Sequence, residues 1–410
     1  MNMVATSLPS GGEPSALAVN GGRPVRATRL PLGRPWIGDA EIAAAADAVK
    51  RGLLTGNGPL GRQAEEALAR VLAGTPALLV TSCTAALEAS VLLSGAGPGD
   101  EILCPSYTFV STANAVVRAG ARPVFVDIDA ATLNIDPDQV APAIGPRTRA
   151  VMVVHYAGRA CPMDAILEIA ARHSLRVIED AAHALGGKYH GRPLGTIGDF
   201  GCFSFHGTKD VVCGEGGALV CRDPEDRRQA EILREKGTNR AAFLRGEVDK
   251  YTWVSEGGSF VASDVLAAIL CAQLDRLPAI LARKRELAER LTRLLQPIAG
   301  QVVLPAEWPG IESTWHLYPI LVDHSVHDAC LAALQAEGIG ASFHFVPLHS
   351  SPFSRARFGG GDVNLPATDR VAASLIRLPL FASMTDQDLD DVAAATVKVI
   401  RGLAPPAYQP

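Results

Sequence analysis

A chain of 410 residues, 48% hydrophobic and 20% charged, can bury a large core and divide into about two or three domains. Its formal net charge of −5 and lack of any long basic run argue against nucleic acid or an anionic membrane as a partner. Eight cysteines scattered without a Cys-x-x-Cys pair argue against a zinc cage or a small disulfide framework, so no metal site is expected and a reducing cytoplasm fits best.

In chain order, residues 1–28 are Gly-, Pro- and Ser-containing with no basic region leading into an apolar stretch, which predicts a loose tail and no secretory signal. No apolar run approaches the roughly twenty residues a membrane span requires, so a soluble protein is expected. From Asp39 to Ala73 the pattern is helical, broken at Gly52 and at Thr55-Gly56-Asn57-Gly58-Pro59, and forms an N-terminal arm. Short apolar strands then alternate with helices. Strands are predicted over 77–81, 101–104, 123–128, 150–155, 176–179, 200–205 and 218–222, with helices over 85–93, 112–119 and 163–173. Such alternation predicts a mainly parallel seven-stranded sheet with helices on both faces, and 29–262 as one large domain.

Chemistry-bearing residues cluster just beyond the strand ends. Thr81-Ser82-Cys83-Thr84 opens a helix with hydroxyls, which serve either as an N-cap or, with the free N–H groups there, as an anion site in which Cys83 is a small packing residue. Pro105 to Thr112 carries Tyr107 and Phe109, which are core residues or, in the case of Phe109, a stacking face for a flat ring. Asp180 ends an apolar strand, where it either caps the next helix or partners a pyridine nitrogen; His183 follows three residues on and could touch the same ring. Ser204-Phe205-His206-Gly207-Thr208-Lys209, followed by Gly214-Glu215-Gly216-Gly217, puts a lysine on a tight turn between small residues. That is the setting in which an amine stays uncharged and condenses with an aldehyde, and Ser204 adds a hydroxyl for phosphate. Aldehyde, ring nitrogen and phosphate together describe pyridoxal 5'-phosphate (PLP), and open α/β sheets bind ligands outside the carboxyl ends of their strands. Beyond Asp223 the chain turns helical and charged. A long helix over 263–295, a strand over 315–322 and helices over 327–337 and 386–402 predict a linking helix and a smaller α+β domain over 263–410.

These runs in order resemble the DegT/DnrJ/EryC1/StrS family of PLP-dependent sugar aminotransferases, from about Pro31 to Arg401. The resemblance implies fold type I, the aspartate-aminotransferase-like fold, and a homodimer with active sites at the interface. It implies Lys209 as Schiff-base lysine and proton shuttle, Asp180 as ring-nitrogen partner, and Cys83 (through its N–H), Thr84, Phe109, His183 and Ser204 around the cofactor. It also implies L-glutamate as donor, with pyridoxamine phosphate formed in the half-reaction.

The segment from Glu235 to Trp253 is similar to the TDP-4-amino-4,6-dideoxygalactose transaminase branch, whose substrate is a nucleotide-linked 4-keto-6-deoxy sugar. There Lys236, Arg240, Arg245 and Lys250 gather charge suited to a diphosphate and Tyr251 offers a stacking face, although a solvated surface is the plainer reading. His316 and Tyr318 are further substrate-facing candidates. One departure stands out: Val261 lies in the segment where many family members carry an Asn that reaches the partner's cofactor phosphate. Three other functions remain open. The same machinery serves a 3-keto sugar, a ketopentose or a cyclitol ketone. A sugar dehydratase shares the fold but has histidine in place of lysine, against which Lys209 argues. A noncatalytic PLP-fold sensor is the third.

Overall fold

The computed structural model describes residues 16–359 and 363–408. The expected strands form at β1 (Ala77–Val80), β2 (Glu101–Pro105), β3 (Arg122–Val126), β4 (Thr148–Val154) and β5 (Arg176–Asp180). After a two-rung hairpin, β6 (Lys188–Tyr189) and β7 (Arg192–Pro193), come β8 (Phe200–Ser204) and β9 (Gly217–Cys221). Seven of these make one sheet in the order β1-β9-β8-β5-β4-β2-β3, in which β9 alone runs against the rest. Their sequences are nearly continuous apolar runs because helices cover both faces. Alternate residues divide between the two cores. Leu79, Leu103, Val151, Val153 and Val177 join one, and Leu78, Val80, Ile102, Ala150, Met152 and Ile178 join the other.

Glu179 shows what fixes the strand ends. It is fully buried on β5 and accepts from the backbone N–H groups of Gly195 (2.8 Å), Ile197 (2.7 Å) and Gly198 (2.6 Å). His155 Nδ1 accepts from Cys161 N–H (3.1 Å), so its Nε2 carries the proton and bonds Glu179 at 2.8 Å. Glu179→Ala would orphan four buried donors at once, and an expected loss of at least about 3 kcal/mol should appear as a lower midpoint in urea unfolding.

A second sheet, β11 (Tyr318–Leu321), β13 (Leu375–Leu378) and β12 (Ser342–Phe343), underlies the smaller domain; β10 (Ile311–Glu312) pairs instead with β6. The expected strand over 315–322 is shorter at its start. Trp315 takes a left-handed φ of 54°, and the N–H groups of Thr314 and His316 bond to Gly158 and Ala157 of the large domain. The helix Asp264–Leu295 serves both domains: Leu270, Leu274, Leu277 and Ile280 belong to the large core, Leu287, Leu291 and Leu295 to the small one. By length and composition this helix could cross a membrane, its richest window reaching a mean hydropathy of 1.7, but its apolar stripe is taken up by these cores.

The tail expected over 1–28 needs correction from residue 16 onward; residues 1–15 lie outside the described residues. Leu17 is 5% exposed in the small-domain core, and Glu337 accepts from the N–H groups of Ala18 (2.9 Å) and Val25 (3.0 Å). Arg26 pairs with Asp388 (2.9 Å) and Asp391 (2.6 Å). The buried Glu337 carboxylate, also paired with Lys398 (2.8 Å), supplies acceptors that the tail's composition did not reveal.

Candidate active site

Val154, Asp180 and Ser204 end β4, β5 and β8 on one side of the sheet, and all three line a cavity of about 610 Å³. Thr84, Phe109, His183, Lys209 and His316 line it too, so residues far apart in sequence converge there as expected for an open α/β sheet.

Lys209 lies in the loop between β8 and β9, pinned where Gly207 N–H meets Gly214 O (2.9 Å) and Lys209 N–H meets His206 O (2.9 Å). Burial pushes the pKa of its amine below the ordinary lysine value, against the opposing pull of Cys83, Asp180 and Asp210. Asp180, 5% exposed, accepts from Thr112 Oγ1 (2.9 Å) and Ala182 N–H (3.2 Å), and Thr112 is itself bonded to Thr108 Oγ1 (2.8 Å). Burial raises this carboxyl's pKa, which makes it a strong acceptor for a protonated ring nitrogen. His183 is kept neutral by burial, its ring stacks on His316 (4.3 Å, 30°), and its buried Nδ1 has no partner among the described residues.

The helix Cys83–Leu93 points its N-terminus at the same space. Ser82 Oγ accepts from Ala85 N–H (3.1 Å), while the N–H groups of Cys83 and Thr84 have no acceptor among the described residues. Gly217 lets β9 approach this turn, since a Cβ there would stand 2.3 Å from Ser82 carbonyl carbon. Thr84 Oγ1 bonds Ser111 Oγ (2.8 Å), and Ser204 Oγ accepts from His206 N–H (3.4 Å). The arrangement fits PLP: free helix N–H groups and two hydroxyls for its phosphate, a buried carboxylate for its nitrogen, an amine whose pKa is lowered for its aldehyde, and His183 on the wall of the same cavity. Cys83, whose buried thiol is pushed well above its ordinary pKa, is no nucleophile. Phe109 stands at the mouth, 57% exposed.

The other candidates divide. His316 lines the cavity. Tyr318 does not: on β11 its side chain turns into the small-domain core, fully buried, with its hydroxyl on Thr292 Oγ1 (2.7 Å). Lys236, Arg240, Arg245, Lys250 and Tyr251 lie on an exposed excursion outside this chain's cavity, with Arg240 paired to Glu235 (2.6 Å) and Arg245 to Glu231 (2.7 Å). Val261 packs beside Gly56, whose Cβ would come within 2.8 Å of it.

Sequence reasoning missed Thr112, Asp210, His344 and Arg377, the last three of which line the cavity. Arg377 left a signal, a lone cation in the apolar run Leu375-Ile376-Arg377-Leu378. Among the described residues it has no carboxylate partner.

A model of the DegT/DnrJ/EryC1/StrS aminotransferase family matches residues 35–397. The spore coat polysaccharide biosynthesis protein SpsC of Bacillus subtilis is 38% identical over 381 residues, spanning 91% of this chain and 97% of that protein. Among solved structures, the aminotransferase TlmJ from Streptoalloteichus hindustanus is 35% identical, covers 92% of this chain and 100% of its own, and superposes with a TM-score of 0.85. The PMP-form of the putative sugar aminotransferase Spr1654 from Streptococcus pneumoniae is 26% identical, covers 92% and 99%, and has a TM-score of 0.84.

Proposed function

Because the chain belongs to the DegT/DnrJ/EryC1/StrS aminotransferase family and is a PLP-dependent sugar aminotransferase of fold type I, we propose that it aminates the 4-keto carbon of a TDP-linked 4-keto-6-deoxyhexose, with L-glutamate as donor. The observation that carries this reading is the convergence of Lys209, Asp180, His183 and the open helix N-terminus on one cavity that also holds an unpaired guanidinium. PLP, when bound, supplies an electron sink for the carbanion formed at the reacting carbon.

The chain's own residues do the rest. Lys209 Nζ takes and returns the proton at that carbon, and burial lowers its pKa in the direction that favours the free amine. Asp180 holds negative charge at the ring nitrogen, His183 and Phe109 confine the ring, and the Cys83 and Thr84 N–H groups with the Thr84 and Ser204 hydroxyls hold the phosphate.

Arg377 is the group suited to the donor's carboxylate. Among the described residues its Nε bonds only Phe343 O (3.2 Å), and burial lowers its pKa, a cost that an incoming carboxylate relieves. Arg377→Leu should raise KM for L-glutamate by about 10- to 100-fold, the worth of a charge-assisted bond, with kcat changed far less. Unchanged glutamate kinetics would remove Arg377 from the donor site.

The nucleotide falls to the excursion carrying Lys236, Arg240, Arg245, Lys250 and Tyr251. Phe243 (39%), Leu244 (59%), Tyr251 (52%) and Trp253 (77%) leave apolar surface open there, which supports a homodimer with its active sites at the interface. The deciding experiment incubates the holoenzyme with L-glutamate and, separately, TDP-4-keto-6-deoxyglucose, a nucleotide 3-keto sugar, a ketopentose and a cyclitol ketone, with products identified by NMR. Amination at C4 of the first sustains the proposal. Turnover of another ketone alone moves the substrate, and tight PLP binding with no glutamate turnover leaves the sensor reading.

A further inference from the structure

Lys284 is a buried cation that the reaction as described does not use. It sits on the helix Asp264–Leu295 in the buried stripe Ile280, Lys284, Leu287, Leu291, with its side chain 1% exposed. An ammonium is buried at high cost unless it is fully paired. Here Nζ donates to Asp210 Oδ1 (2.6 Å) and to His316 O (3.1 Å), and the other oxygen of Asp210 bonds His316 Nδ1 (3.0 Å). Both oxygens of Asp210 are therefore taken, and Asp210 is the chain neighbour of Lys209.

The remaining groups around the Lys209 amine are few. Cys83 faces it from the start of its helix, Asp180 from the end of β5 and Arg377 from β13. His183, His316 and His344 lie within reach of its charge, and burial keeps all three neutral at pH 7, His316 near about 4 and His344 near about 2. Asp180 is occupied by Thr112 and Ala182. Lys284 and His316 hold Asp210 as a fixed anion at about 2.

We propose that Lys284 is a positioning residue of the transamination: it claims the carboxylate of Asp210, so that the amine of the adjacent Lys209 has no ion-pair partner and remains an uncharged nucleophile. Without Lys284, Asp210, whose side chain is 18% exposed, would be a carboxylate without its ion-pair partner in the residue next to Lys209, and its negative charge would be free to act on the Lys209 amine. The charge-neutral pair Lys284–Asp210 thus separates the anchoring of His316 from the protonation of Lys209. The inference rests on Lys209 being the reactive amine.

The test reads Lys209 directly. Full-length chain freed of cofactor is reacted with fluorodinitrobenzene across a pH series, and arylation at Lys209 is followed by peptide mass spectrometry. Lys284→Met should move the midpoint for Lys209 upward by about one to three pH units, the span a newly available opposite charge produces. Lys284→Arg, which keeps the charge, and the double variant Lys284→Met/Asp210→Asn, which removes both charges, should titrate within about half a unit of the native protein. A native midpoint in Lys284→Met overturns the proposal. So does a shift of more than half a unit in the double variant, which leaves no buried charge uncompensated and decides the matter if the single variant does not fold. If native Lys209 is not arylated in preference to surface lysines, the assignment of Lys209 as the reactive amine fails, which is a separate outcome.

Discussion

Lys209→Ala is expected to lower kcat for 2-oxoglutarate release from L-glutamate by about 10⁴-fold, the upper end for a positioned acid–base group. The structure leaves little to replace it. His183, His206, His316 and His344 are the other imidazoles lining the cavity; burial depresses His183, His316 and His344, and the Nδ1 atoms of three are engaged, His206 with Thr208 (2.9 Å), His316 with Asp210 (3.0 Å) and His344 with Tyr156 (3.0 Å). Folding should be nearly indifferent to the change, within about 0.5 kcal/mol, because among the described residues the amine has no ion-pair or hydrogen-bond partner to lose. A chemical complement sharpens the test: added methylamine should restore part of the lost rate in Lys209→Ala and none in the native protein. A variant that turns over at the native rate would end the assignment.

Asp180→Asn should cost about 10²- to 10³-fold in the same assay, the scale seen when one electrostatic group is removed from a water-excluded site. Asn preserves the shape and removes the charge; its single oxygen can keep the bond from Ala182 N–H, while the NH2 in place of the other oxygen donates to Thr112 Oγ1 where the carboxylate accepted. The raised pKa of Asp180 sets the sign: a carboxyl that burial makes avid for a proton gains from a cationic neighbour, so removing its charge would remove what favours a proton on the ring nitrogen of a bound cofactor. Holding PLP should also become weaker, which equilibrium dialysis of the folded variant would measure. Native affinity together with native turnover would reduce Asp180 to a helix-capping residue.

How much of this was readable beforehand depended on where each residue sits. Asp180, Ser204 and Lys209 were legible because each ends or follows an apolar run, and strand ends of an open α/β sheet gather at one edge. Lys284 was hidden in Arg283-Lys284-Arg285, which looks like a solvated face, although the helical period places it in line with Ile280 and Leu287. Tyr318 looked like a neighbour of His316, but His316 precedes β11 and is tied by its backbone to Ala157, whereas Tyr318 is in the strand and turns to the opposite face. Arg240 and Arg245 offered positive charge in the sequence, and no rule of spacing announced that Glu235 and Glu231 would answer it. The docked segment from residue 16 was illegible for a related reason: its partners, Glu337, Asp388 and Asp391, lie more than three hundred residues away.

That distance has a meaning for how the protein is made. The segment is made more than three hundred residues before its acceptors Glu337, Asp388 and Asp391, and from there it runs on to Leu32–Trp36 at the rim of the cavity. A nascent chain that has emerged only as far as β9 has every strand of the central sheet and no finished mouth to the cavity. Completion of the pocket mouth therefore waits on the stretch that carries Glu337, Asp388 and Asp391, which is made long after the segment it holds.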